Sequence, residues 1–178
     1  MRIEGEKTYL RPITEDDTDL IVDWRNREDV IKYFIIRDPF TKEGHEKWLK
    51  TRVFTGEVVQ FIVHLKEDDR PVGCTYIRDI DTLNRKAEYG VFIGESEVRG
   101  RGIGKEILNL TTDYAFRELD LHRVYARVLD YNAASYNCFL SCGYKEEGVL
   151  KDSLFLDGEY HDLIILGKLN PGDDTDGK

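Results

Sequence analysis

Residues 98–119 read VRGRGIGKEILNLTTDYAFREL. Gly100, Gly102 and Gly104 alternate with Arg101 and Ile103, between Arg99 and Lys105, directly ahead of a long amphipathic stretch. In that stretch Ile103, Ile107, Leu110, Tyr114 and Leu119 recur at helical spacing. A strand pattern, KAEYGVFIG, stands in front of it. A strand passed to a helix through residues without side chains lets the backbone approach a ligand closely. The N–H groups at the helix start have no carbonyl partner and converge on an anion, most naturally a phosphate. Two familiar phosphate motifs fail on named residues. A G-x-G-x-x-G fingerprint counted from Gly100 ends on Lys105, and from Gly102 on Ile107. A G-x-x-x-x-G-K-[ST] loop ending at Gly104-Lys105 would start on Arg99 and carry Glu106 in place of the hydroxyl. What remains is R-x-x-G-x-G from Arg99 to Gly104. Taken alone it leaves open a turn that merely closes a strand–helix unit.

Around this loop the pattern alternates strands and helices. KTYLRP reads as a strand ending at Pro12, and a helix opens near Thr14 with Glu15, Asp16 and Asp17 in its first turn. Leu20, Ile21 and Trp24 form its apolar face. A second helix begins at Thr41. EVVQFIVHL and PVGCTYIRDI follow as strands around the turn Lys66–Arg70. Beyond the glycine loop HRVYARVLD is a strand, and NAASYNCFLSCGY is a short helix with Asn132 as N-cap and Gly143 as its stop. Two strands around Asp157-Gly158 close the chain. This order makes an α/β layered domain with a mixed sheet. Residues 1–169 form one domain, and the polar tail 170–178 is expected to be disordered.

No apolar run approaches the ~20 residues that cross a bilayer, and the N-terminus MRIEGEK offers nothing for a signal peptide to use. The expected location is cytoplasmic, with no membrane partner. Three cysteines, an odd number, suit a reducing compartment. Cys138 and Cys142 lie four apart without a companion His pair, so they read as small buried apolar residues and no metal is expected. A net charge of −9 argues against nucleic acid and mildly favours cationic partners such as amines.

The chain resembles the GNAT superfamily of acetyl-coenzyme A-dependent N-acetyltransferases. Within it the similarity is to the subgroup of ribosomal-protein N-terminal acetyltransferases and some amino-sugar and polyamine acetyltransferases. The resemblance runs from YLRPITEDD through PVGCTYIRDID, AEYGVFIGESEVRGRGIG and NAASYNCFLSCGYKEEGVL to DGEYHDLIILGKL. It implies a mostly antiparallel central sheet of about seven strands with helices on both faces. It implies acetyl-coenzyme A as cosubstrate, with the pyrophosphate held by the loop of Arg99, Gly100, Arg101, Gly102, Ile103, Gly104 and Lys105. Main-chain atoms of Phe92, Ile93 and Gly94 would line the pantetheine arm. Gly94 is also a candidate bulge that splays its strand from RVYARVLD.

The chemistry needs a base for the amine, a donor for the thioester oxygen and a proton for the departing thiolate. By the resemblance, Glu88 is the base candidate; it lies six residues before Gly94, on the same sheet face if no bulge intervenes. The alternative is a carboxylate paired with a neighbouring cation. Asn132 would touch the cofactor while capping its helix. Many family members carry a tyrosine acid where this chain has Phe139, which cannot donate a proton. Ser135, one turn earlier, and Tyr136 are the remaining acid candidates, with solvent as a third. Arg127 stands where some relatives place a glutamate base. The acceptor, a small amine or a protein N-terminus, would be read by residues drawn from Trp24, Arg25, Asn26, Tyr33, Phe34, His45, Trp48, His161 and Asp162. Monomer and homodimer are both compatible with the sequence, and a non-catalytic acyl-coenzyme A sensor is the rival reading.

Overall fold

The computed structural model describes residues 1–175. Eight strands form one sheet: β1 (Ile3–Glu4), β2 (Thr8–Pro12), β3 (Val59–Leu65), β4 (Pro71–Asp81), β5 (Lys86–Ile93), β6 (Arg123–Leu129), β7 (Lys145–Leu156) and β8 (Glu159–Leu169). Their spatial order is β1-β2-β3-β4-β5-β6-β8-β7. Every neighbouring pair is antiparallel except β5 and β6. The helices are α1 (Thr18–Asn26), α2 (Glu28–Ile31), α3 (Lys42–Trp48), α4 (Ile103–Arg117) and α5 (Ala133–Ser141).

Strand alternation divides the core between the two faces. Phe61, Val63 and Leu65 of β3 pack with Ile103 and Ile107 of α4. Ile62, between them in sequence, faces Ile21 and Trp24 of α1 and Leu49 beyond α3. A third cluster joins Ala87 and Tyr89 of β5, Ala126 and Val128 of β6, Leu108 of α4 and Phe139 of α5. Helices therefore cover both faces, with α1 to α3 on one and α4 with α5 on the other.

Local chemistry sets the boundaries. The acidic run after Thr14 makes a 3-10 turn, Glu15–Asp17, and α1 starts only at Thr18. Asp17 is consumed in holding this corner. Its carboxylate accepts from the Thr14 N–H (2.8 Å) and from both terminal nitrogens of Arg11 (2.8 and 2.6 Å). Thr41 caps α3 by accepting from Gly44 N–H at 3.1 Å. Asp157 (φ 53°) and Gly158 (φ 88°) make the tight β7–β8 turn that their sequence predicts. Two elements were not expected, the two-residue edge strand β1 and the single-turn helix α2; β1 raises the strand number to eight. In the tail, Asn170 donates to the carbonyl of His122 (2.8 Å), and Asp173 accepts from His122 (2.8 Å) and pairs with Arg85 (3.3 Å). Residues 176–178 lie outside the described residues.

Candidate active site

β5 and β6 pair at three positions only: Lys86 with Arg123, Ala87 with Val124 and Glu88 with Tyr125. Beyond Glu88 the strands separate, although β5 continues to Ile93 and β6 to Leu129. β5 stays bonded to β4 along its other edge as far as Ile93. The edge it turns toward β6 is therefore free to receive an extended ligand as a strand would be received. The gap is a cavity of about 790 Å³ that passes through the sheet. The glycine loop and α4 close one end, α5 covers one side, and residues of α1, α2 and the segment after them cover the other.

The split begins at Glu88, so Gly94 does not cause it. Gly94 N–H donates to Val72 O at 2.9 Å, and its carbonyl accepts from Arg27 Nη1 at 2.9 Å. A Cβ on Gly94 would stand 2.3 Å from the Trp24 indole. Close packing against Trp24, outside the cavity wall, accounts for this glycine. Phe92 and Ile93 do line the cavity.

In the loop, Gly100 (φ 77°) and Gly102 (φ 81°) occupy the left-handed region that L side chains rarely adopt. Gly104 is already helical, and a Cβ there would only touch Cys138 Sγ at 3.8 Å. The α4 ladder starts with Glu106 N–H to Gly102 O, so the N–H groups of Ile103, Gly104 and Lys105 precede the first intrahelical bond. Arg99, Gly100, Gly102, Gly104 and Lys105 line the cavity. The Ile103 side chain instead enters the core, and Arg101 turns away to pair with Glu67 at 3.0 Å. Arg99 pairs with Asp29 of α2 (2.8 Å) and donates to Ile93 O (2.9 Å), which ties the loop to the α1 side. Positive dipole, free N–H groups, Lys105 and an open strand edge fit an extended ligand with a pyrophosphate at one end.

Glu88 faces this cavity and is only 5 % exposed. Arg78 Nη2 (2.9 Å) and Arg127 Nε (3.0 Å) both donate to its Oε1. Oε2 accepts no hydrogen bond from any described residue. The carboxylate is thus paired, as its alternative reading anticipates, yet it lies in the wall of the cavity and not on a solvated face. Two guanidinium groups on one oxygen fix the direction of its carboxylate. Asn132 caps α5 by accepting from Ser135 N–H at 3.2 Å, and both residues line the cavity. The Ser135 hydroxyl has no protein partner among the described residues. Tyr136 lies outside the cavity lining, and its hydroxyl donates to Glu146 at 2.8 Å. Phe139 is a core residue at the cavity edge, packed edge-on against Tyr89 and Tyr144 with centroids 5.7 and 4.9 Å away.

Of the remaining candidates, Arg25, Tyr33 and Phe34 line the cavity. Trp24 is buried with its Nε1–H on Glu95 (2.7 Å), and Asn26 pins the backbone of Phe40. His45 is buried against Thr18, and desolvation pushes its pKa down to about 4. Trp48 donates to Gln60, His161 meets Asp130, and Asp162 pairs with Lys151. Tyr76 and Arg78 are cavity residues that sequence reading did not single out. Their signal lies in the β4–β5 register, where Tyr76 faces Gly90 and Arg78 faces Glu88. A Cβ on Gly90 would come within 2.2 Å of the Tyr76 ring, so Gly90 makes room for that ring.

Comparison with known proteins decides the family. The profile described as "Acetyltransferase (GNAT) domain" matches residues 7–145. The chain belongs to the GNAT acetyltransferase family. It is 31 % identical over 180 residues to "Probable N-acetyltransferase YjcK" of Bacillus subtilis, covering 97 % of this chain and 99 % of that protein. The ribosomal-protein-S5-alanine acetyltransferase of Vibrio fischeri is 26 % identical, with a TM-score of 0.84 over 99 % of this chain and 100 % of that one. The fold is also that of spermidine N-acetyltransferase from Vibrio cholerae, solved with CoA and spermine (24 % identity, TM-score 0.86, 93 % and 96 % covered). This GNAT chain is an enzyme of the N-acetyltransferase class. Among the described residues no helix is long and apolar enough to cross a membrane, and no group of three His, Cys, Asp or Glu side chains could hold a metal ion.

Proposed function

We propose that the protein transfers an acetyl group from acetyl-coenzyme A to a primary amine by direct attack, both substrates lying in the one cavity. The observation that carries this reading is the junction of the open β5 edge with the glycine loop at the α4 N-terminus. Acetyl-coenzyme A supplies an activated acyl carbonyl, whose C–S bond breaks as the N–C bond forms. The loop from Gly100 to Lys105, with Asn132 at α5, holds the pyrophosphate end. Peptide groups of Tyr89 to Ile93 hold the extended arm, and one of their N–H groups polarises the carbonyl. Glu88, through its free Oε2, orients the amine and takes its proton directly or through water. Ser135, whose hydroxyl has no protein partner, returns a proton to the departing thiolate.

Two carboxylates line the cavity: Asp29 is paired with Arg99, and Glu88 is held by Arg78 and Arg127 in an acceptor end that Arg25 also lines. Three guanidinium groups there oppose a polycation, although the whole chain carries −9. The acceptor is accordingly an amine with little further positive charge, and a polyamine is disfavoured. Coenzyme A thiol release by the purified protein with acetyl-coenzyme A tests the reading. The panel holds amino acids, amino sugars, spermidine and short peptides with free Ala, Ser or Met N-termini. Turnover with a non-polycationic amine is expected. Tight acetyl-coenzyme A binding with no turnover on any amine would return the chain to a sensor role.

A further inference from the structure

Arg25 is an arginine without a counter-ion in the wall of a cavity. It leaves α1 half-buried, with its guanidinium carbon 3.4 Å from the Phe34 ring centroid and 4.7 Å from that of Phe40. Its Nε is buried and has no hydrogen-bond partner. Every other arginine of the chain except the exposed Arg117 has a carboxylate within ion-pair distance among the described residues. Burial also draws the Arg25 pKa below its ordinary value, with no carboxylate near enough to raise it. A half-buried guanidinium left unpaired is costly, and its planar donor fork matches a carboxylate.

The neighbours of Arg25 give its direction. Tyr76 and Arg78 lie two residues apart on β4, on the sheet face that α1 covers, and line the same cavity as Arg25. Arg78 in turn holds Glu88. The Tyr76 hydroxyl reaches the cavity wall and bonds no described residue. The row Arg25, Tyr76, Arg78, Glu88 thus runs along one wall, with an unpaired cation at one end and the amine-facing carboxylate at the other. This face of the sheet is that of α1, not that of α4 and its phosphate-binding terminus.

We infer that Arg25 is a specificity-determining residue that binds a carboxylate on the acceptor, and that the acceptor is a small amino acid carrying its amine and its carboxylate on one short skeleton. This rests on the acetyltransferase reading above and narrows its substrate class. Two measurements on the full chain test it. The first is kcat/KM for the protein L-α-amino acids, β-alanine and 4-aminobutanoate, each beside its carboxamide. The wild-type protein should prefer at least one acid over its amide by about tenfold or more, and Arg25→Gln should erase that preference mainly through KM. Arg25→Lys should restore part of it. The second is calorimetric binding of the corresponding N-acetyl acids, which needs no turnover: wild type should bind one and Arg25→Gln should not, while both bind acetyl-coenzyme A equally. Equal loss on acid and amide in Arg25→Gln would overturn the inference, leaving Arg25 a packing residue for Phe34. So would turnover confined to peptide N-termini, which leaves the acetyltransferase reading intact, and turnover confined to spermidine, which would also overturn the exclusion of polyamines. Carboxylate binding abolished by Arg25→Gln, without turnover on any amine, would keep Arg25 as a carboxylate site and refute the acetyltransferase reading instead.

Discussion

In the proposed reaction Glu88 and Ser135 carry separable parts of the chemistry. A peptide α-amine has an ordinary pKa of about 8 and the amine of a free amino acid is more basic, so at pH 6 to 7 either is mostly protonated and a base matters most there. Glu88→Gln should lower kcat/KM by about a hundredfold at low pH, with the deficit shrinking as the amine deprotonates unaided. Acetyl-coenzyme A affinity should stay within about twofold. A pH–rate profile parallel to wild type would remove Glu88 as base. Ser135→Ala should slow the chemical step by about tenfold, less than a full acid–base contribution because a thiolate leaves readily. Rapid-quench kinetics at saturating substrates reads that step, and an unchanged rate would leave Ser135 with its backbone role at the α5 cap alone. At these positions the sequence was informative but incomplete. The parity of Glu88 placed it on a face, but its two arginine partners come from β4 and β6 and depend on a register that no single segment encodes. Tyr136 and Ser135 are adjacent in the motif, and only the helix rotation sends one to Glu146 and the other to the cavity.

The elements around the split carry their own predictions. Gly102 has φ 81°, and a β-branched side chain there is strained as well as obstructive. Gly102→Val should weaken acetyl-coenzyme A binding by about tenfold or more, read by calorimetry, and its backbone strain should also lower stability by about 1–2 kcal/mol. Gly94→Ala should lower stability while leaving that binding nearly unchanged. Its methyl group would meet the Trp24 ring, so stability should fall by about 1–3 kcal/mol, and chemical denaturation would measure it. The helix pair α1–α3 adds a pH dependence. His45 is neutral in the fold because burial lowers its pKa from 6.5 to about 4. Between those values the unfolded chain binds a proton that the folded chain does not, so this contribution to stability falls as pH drops from 6.5 to 4. His45→Gln should flatten the urea-midpoint profile over that window if its amide keeps the bond to Thr18. Most of these elements were legible from periodicity, caps and turn residues. β1 and α2 were not, because two residues and one turn are too short to show a period.

As a whole, the molecule is a sheet opened along half of its one parallel junction, with a cavity passing from the α4 N-terminus to a wall that carries three arginines. The glycine loop made the first of these readable from sequence, since Gly100 and Gly102 mark a backbone conformation directly. The arginine wall was hidden, because Arg25, Arg78 and Arg127 come from three distant segments of a chain whose overall charge has the opposite sign. If the cavity holds both substrates together, transfer passes through a ternary complex. Initial velocities measured with acetyl-coenzyme A and the best acceptor both varied test this most directly. Intersecting double-reciprocal lines, with no acetylated protein detected by intact-mass spectrometry, are the result the account predicts. Parallel lines with a mass-shifted acetyl-enzyme would contradict it, since the acetyl group would then rest on the protein between the two substrates.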